Sequence, residues 1–135
     1  MARRGLTASR PARHLGTALL LLSLLGGCRS AKVRAVRQVD ASELCPDVLP
    51  GERWQSAPWS GGCDWVRLDA REGIEVPHDL GRPPASVLVY LSFVPSGAEA
   101  VLAAGDMARI VEVTATSVTV ANATEQPMYA RLVLW

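Results

Sequence analysis

From Trp65 onward, apolar and polar residues alternate along the chain. Val66 and Leu68 alternate with Arg67 and Asp69, and Ile74 and Val76 with Glu75 and Pro77. Successive strand side chains point to opposite faces, so this pattern predicts strands with one face on a core and one in water. Val87 to Leu91 is apolar at every position and rich in β-formers, which predicts a central strand covered on both faces. Pro95-Ser96-Gly97 reads as a turn, Ala98 to Ala104 as a short strand, and Ala108 to Val113 as a longer one. Thr114-Ala115-Thr116 then turns the chain into Ser117 to Ala121, with Val118 and Val120 inward. Asn122 to Pro127 reads as a loop and Met128 to Leu134 as the last strand. About six to seven short strands without an internal repeat predict an all-β fold, a single small antiparallel β-sandwich.

The start of the chain follows a different pattern. Leu15 to Leu25 is an apolar run flanked by Arg3, Arg4, Arg10 and Arg13 with no acidic residue. It has the length of a secretory signal and falls short of the ~20 apolar residues that cross a bilayer. Asp40 and Ser42 ahead of Glu43-Leu44 mark one short helical turn. The run closes on Leu24-Leu25-Gly26-Gly27-Cys28, with small residues at the cut and a thiol behind them. That exit resembles the lipobox of a bacterial lipoprotein signal. The resemblance implies that residues 1–27 are a cleaved signal peptide and that Cys28 carries a diacylglycerol thioether, with a further acyl group such as palmitate on its freed amine. Two or more chains anchor firmly where one does not, because each buried CH₂ adds ~0.8 kcal/mol. Residues 28–44 then form a tether and a possible first strand, and residues 45–135 the β-sandwich domain. Arg29, rather than aspartate, follows the cysteine, which points to the outer membrane of a bacterial cell envelope.

Cleavage changes the composition that matters. Removing residues 1–27 from the 135 leaves 108, enough for one domain with a modest core. Four of the 14 Lys and Arg and none of the 13 Asp and Glu leave with the signal, so the remaining chain carries −3. That weak acidity argues against a nucleic-acid partner. Arg29, Lys32, Arg34 and Arg37 suit either a tether beside acidic headgroups or a solvated linker. With Cys28 assigned to lipid, Cys45 and Cys63 are left as a pair, which in an exported domain reads as a disulfide. The segment between them holds Pro46, Pro50, Pro58, Gly51, Gly61 and Gly62 and predicts an irregular loop. Closing it contributes ~3 kcal/mol by restricting the unfolded chain. Zinc is not expected, since neither cysteine has a Cys or His close by.

The candidate chemistry is sparse. Trp54 and Trp59 fall inside the disulfide-closed segment and Trp65 just beyond it. An indole offers a broad apolar face and one donor, so Trp54 and Trp59 are candidate binding residues for a protein or a glycan, with burial as the competing reading. Trp65 is read as packing. His78 is the one histidine after the signal, and its neighbour Asp79 points to the other face of a strand, so the two make no catalytic pair. His78 is instead expected to cap its strand and donate to the Leu80-Gly81 turn. No nucleophile elbow, phosphate loop or His-Glu-x-x-His run occurs, and no catalytic residue, metal site or cofactor is assigned. The stretch Ile74 to Val87, with Val76, His78, Leu80-Gly81-Arg82 and Pro84, resembles the strand-turn-strand of small β-sandwich modules in phage tail fibres. The likeness covers roughly residues 72–134. It implies a β-sandwich and a binding or assembly role, without settling the oligomeric state. The expectation is a lipid-tethered envelope module that binds or assembles, with a structural accessory subunit and a carbohydrate-binding module as alternatives.

Overall fold

The computed structural model describes residues 33–49 and 51–135. Cys28 and the segment expected to be a signal peptide, residues 1–27, lie outside the described residues. The domain is all-β, with two sheets packed face to face over one core. Its strands are β1 (Ala35–Gln38), β2 (Asp47–Leu49), β3 (Arg53–Gln55), β4 (Val66–Leu68), β5 (Glu72–Pro77), β6 (Val87–Ser92), β7 (Val101–Leu102), β8 (Arg109–Val113), β9 (Ser117–Ala121) and β10 (Met128–Leu134). The smaller sheet runs β1-β5-β9-β8. The larger runs β2-β3-β10-β6-β7, with β4 also paired to β10.

Strand β10 organises the larger sheet. Met128, Ala130, Leu132 and Leu134 face the core, while Tyr129, Arg131 and Val133 occupy the other face, as period two requires. On one side β10 pairs with β6 from Tyr129↔Ser92 to Leu134↔Val87. On the other, its first half pairs with β4 and its last two residues with β3. Ile74 and Val76 of β5 and Val118 and Val120 of β9 close the core from the smaller sheet. Each such aliphatic side chain contributes ~1.5–3 kcal/mol when fully buried.

Two of the five crossings between the sheets, β4 to β5 and β9 to β10, lie at one end of the sandwich. The Asp69–Arg71 turn joins β4 to β5, and the loop 122–127 joins β9 to β10. Asn122, fully buried, knits these together: its Nδ2 donates to the Asp69 and Gln126 carbonyls at 3.1 and 2.7 Å, and its Oδ1 accepts from the Thr124 amide at 2.8 Å. This side-chain-to-backbone pattern replaces the ladder partners the chain loses where it leaves a sheet.

Three expectations need correction. Ten strands form rather than six or seven, because several have only two or three residues. The segment between Cys45 and Cys63 is not wholly irregular: β2 and β3 form a short hairpin inside it, with Asp47↔Gln55 and Leu49↔Arg53 in register. The sandwich is also not purely antiparallel, since β1 lies parallel to β5 at the sheet edge, from Ala35↔Glu72 to Gln38↔Glu75. The expected turn after β1 forms as a 3₁₀ turn over Ala41–Glu43. There Asp40 accepts from the Ser42 amide and Glu43 accepts from the Asp40 amide, a complete capping box.

Candidate functional site

The disulfide-closed segment folds over the outer face of the larger sheet. Cys45 and Cys63 are bonded, with their Cα atoms 6.3 Å apart. Ser56 stitches the segment to β10: its amide donates to the Leu132 carbonyl at 3.0 Å, and its hydroxyl accepts from the Leu132 amide at 3.0 Å. Beyond Ser56 the chain passes over Arg131, which occupies the middle of β10 opposite Tyr90.

Arg131 is fully buried. Its Nε donates to the Ala57 carbonyl at 2.6 Å and its Nη2 to Gln55 Oε1, while Gln55 Nε2 donates to Asp47 Oδ2 at 3.1 Å. Among the described residues no carboxylate lies within ion-pair distance of it, and Nη1 has no hydrogen-bond partner. Burial therefore pulls its pKa below the ordinary arginine value, countered in part by the Tyr90 phenol. What compensates the charge is an aromatic roof. The Trp59 ring lies over the guanidinium, with Cζ 3.8 Å from its centroid, and Tyr90 stands 5.8 Å away. Trp59 meets Tyr90 and Trp65 edge to face at 4.7 and 5.8 Å. Ring quadrupoles favour both arrangements.

The two candidate tryptophans part company here. Trp59 is 51% exposed, held from below by Arg131 and from the sides by Tyr90 and Trp65. Trp54 is 2% exposed and belongs to the core, edge to face with His78 at 6.2 Å. The Trp54 assignment is thus corrected. Period two on β3 turns Trp54 inward and leaves Arg53 and Gln55 on the other face. Trp65 is buried against Trp59 and the Gly97 turn, as a packing role requires. A Cβ at residue 97 would sit 2.3 Å from Trp65 Cε2, and its φ is +75°, so glycine is required twice over.

His78 is buried at the end of β5, and its role is the reverse of the one expected. The Leu80 amide points at Nδ1 at 3.4 Å, so the ring accepts from the turn rather than donating to it. Burial holds the pKa of His78 below the usual histidine value, against smaller opposite pulls from the Thr114 carbonyl and the Asp79 charge. A buried neutral imidazole keeps a lone pair free to accept. Gly81 has φ +67°, the left-handed conformation the turn reading anticipated.

A concavity of about 290 Å³ lies over the smaller sheet between Gln38, Val39, Glu75, Pro77, Thr116 and Ser117. Glu75 is its one ionisable side chain, and Gln38 Nε2 is 3.5 Å from its carboxylate. Among the described residues no three His, Cys, Asp or Glu side chains gather as a metal site, and no helix is long and apolar enough to cross a membrane. Arg131 was missed in the sequence because the charge of an outward strand position reads as solvent-facing. The buried Arg131–Trp59 contact spans residues far apart in the chain, so no local signal announces it. Comparisons with protein-family models, with curated proteins and with solved structures find no match.

Proposed function

We propose that the protein is a lipid-anchored module of the bacterial cell envelope that binds or assembles with a partner and performs no chemistry of its own. The Leu24-Leu25-Gly26-Gly27-Cys28 exit supports the anchor. The observation that carries the binding reading is Trp59: half open, yet fixed in place by Arg131, Tyr90 and Trp65 on a disulfide-closed segment. An aromatic ring already ordered before contact loses little entropy on binding, which is why such rings serve as interface anchors. With Trp54 in the core, one indole rather than two is offered. That favours a protein pocket over a flat sugar platform. A photo-crosslinking residue at position 59 of the membrane-bound protein should capture a discrete envelope component, and Trp59→Leu should lose that component while the domain stays folded. Equal capture by the Trp59→Leu protein would remove the binding reading.

A specific observation favours the accessory-subunit alternative. Edge strand β8 leaves Ile110, Val111 and Val113 exposed, with a bulge between Ile110 and Glu112. An edge of this kind offers unpaired backbone groups to a neighbouring strand. Crosslinks arising from β8 and not from Trp59 would favour that reading.

A further inference from the structure

We infer that the end of the sandwich bearing Phe93, Val94 and Val101 rests against the lipid surface, by apolar contact at interfacial depth. The inference rests on the Cys28 anchor proposed above. It adds which part of the domain faces the bilayer.

Topology fixes where the tether arrives. β1 enters beside the start of β5, with Ala35 opposite Glu72, and the Arg34 amide donates to the Arg71 carbonyl at 2.8 Å. Arg71 lies in the β4–β5 turn, so the chain joins the domain at the end where β4 crosses to β5 and β9 to β10. Arg34 lies six residues beyond Cys28. Fully extended they span at most about 20 Å, so an acylated Cys28 keeps this end close to the membrane.

The same end presents an apolar surface. β6 finishes there at Ser92, opposite Tyr129 near the start of β10, and Phe93 and Val94 follow on the loop. Val101, opposite Leu91, lies beside them. Phe93 is the chain's single phenylalanine and is 73% exposed, with Val94 at 42% and Val101 at 55%. Phe93 and Val101 border one small apolar cavity of about 70 Å³ that also touches Leu91, Met107 and Met128. Scattered exposed apolar residues need no explanation, whereas a grouped patch marks a contact surface. Three ion pairs lie at this end, Arg71 with Glu125, Arg67 with Asp69 and Arg109 with Asp106, while Arg34 enters beside them and leads back to Lys32 and Arg29. Apolar contact by Phe93, Val94 and Val101 thus acts beside any headgroup attraction of the basic tether. Glu99, exposed beside the cavity, limits the depth to the interface, where its carboxylate stays hydrated.

The test uses the full lipidated protein in vesicles of phosphatidylethanolamine and phosphatidylglycerol, with an environment-sensitive fluorophore on Phe93→Cys, Val101→Cys or Thr116→Cys. Thr116 is exposed in the β8–β9 turn at the opposite end. Labels at 93 and 101 should shift to the blue and be quenched when the lipids carry brominated chains, and the label at 116 should do neither. Unquenched labels at all three sites on protein that floats with the vesicles would overturn the orientation while leaving the anchor intact. Equal quenching at all three would overturn it too. Intact mass showing no lipid on Cys28 would remove the anchor and this inference together.

Discussion

Replacing Arg131 tests how Trp59 is held in place. In Arg131→Ala the Ala57 carbonyl and the Gln55 side chain lose their donors in a site closed to water. Each buried group left unsatisfied costs ~1–3 kcal/mol. The stack under Trp59, at 3.8 Å, adds ~0.5–2 kcal/mol for a desolvated cation on a ring. Against these losses stands the relief of a buried charge that has no carboxylate partner, so the net loss should be about 3 kcal/mol. For a domain near 100 residues that corresponds to a fall in Tm of ~12–24 °C. Arg131→Met, which fills the space without burying a charge, should lose less. Urea unfolding gives the stability, and the Trp59 part of the emission, taken as the difference from matching Trp59→Leu proteins, reports on the roof: it should move to the red as Trp59 loses its support. A loss below about 1 kcal/mol with unchanged Trp59 emission would refute the reasoning, since at least one buried hydrogen bond would then contribute nothing.

Trp54→Ala should cost ~3–5 kcal/mol and unfold the domain at modest temperature, as for other buried aromatic truncations, while Trp59→Ala costs far less; thermal melts of the two decide it. His78 gives a signed pH dependence. Its folded pKa lies below the unfolded value of about 6.5, so the unfolded chain takes up the proton first as pH falls. Stability from this group should be fully present above that pH and be lost as pH drops toward the depressed folded value, and His78→Leu should flatten that part of the profile in urea titrations. Non-reducing peptide mapping should find Cys45 linked to Cys63, and reduction should lower stability by ~3 kcal/mol, the entropy of the loop it closes. Two free, alkylatable thiols in the folded protein would contradict that.

Where an apolar period of two runs between clear turn residues, the sequence was legible, even though both faces of these strands are largely buried. Ser117–Ala121 and Met128–Leu134 have the bounds that alternation and the flanking turn residues predict, because period two leaves few alternatives. β2 and β3 were not legible, since three residues among prolines and glycines carry no measurable period. They form a local hairpin, and its place on the sheet is set by β3 pairing with β10, a contact distant in sequence. The Trp54 misreading had a local remedy in Arg53-Trp54-Gln55, a single apolar residue between polar ones. Arg131 had none. Its burial depends on a segment more than seventy residues earlier folding back over it, and alternation alone assigns it to water. The parallel pairing of β1 is likewise a contact with residues more than thirty positions later, Ala35↔Glu72 to Gln38↔Glu75, that nothing in Ala35–Gln38 itself announces.

The account stands or falls most directly on Cys28. Intact-mass analysis of the protein extracted from membranes should show a chain beginning at Cys28, heavier by a diacylglyceryl group and a further acyl chain, and Cys28→Ala should leave the protein unlipidated and out of the membrane fraction. An unmodified chain that still begins at Met1 would contradict the account.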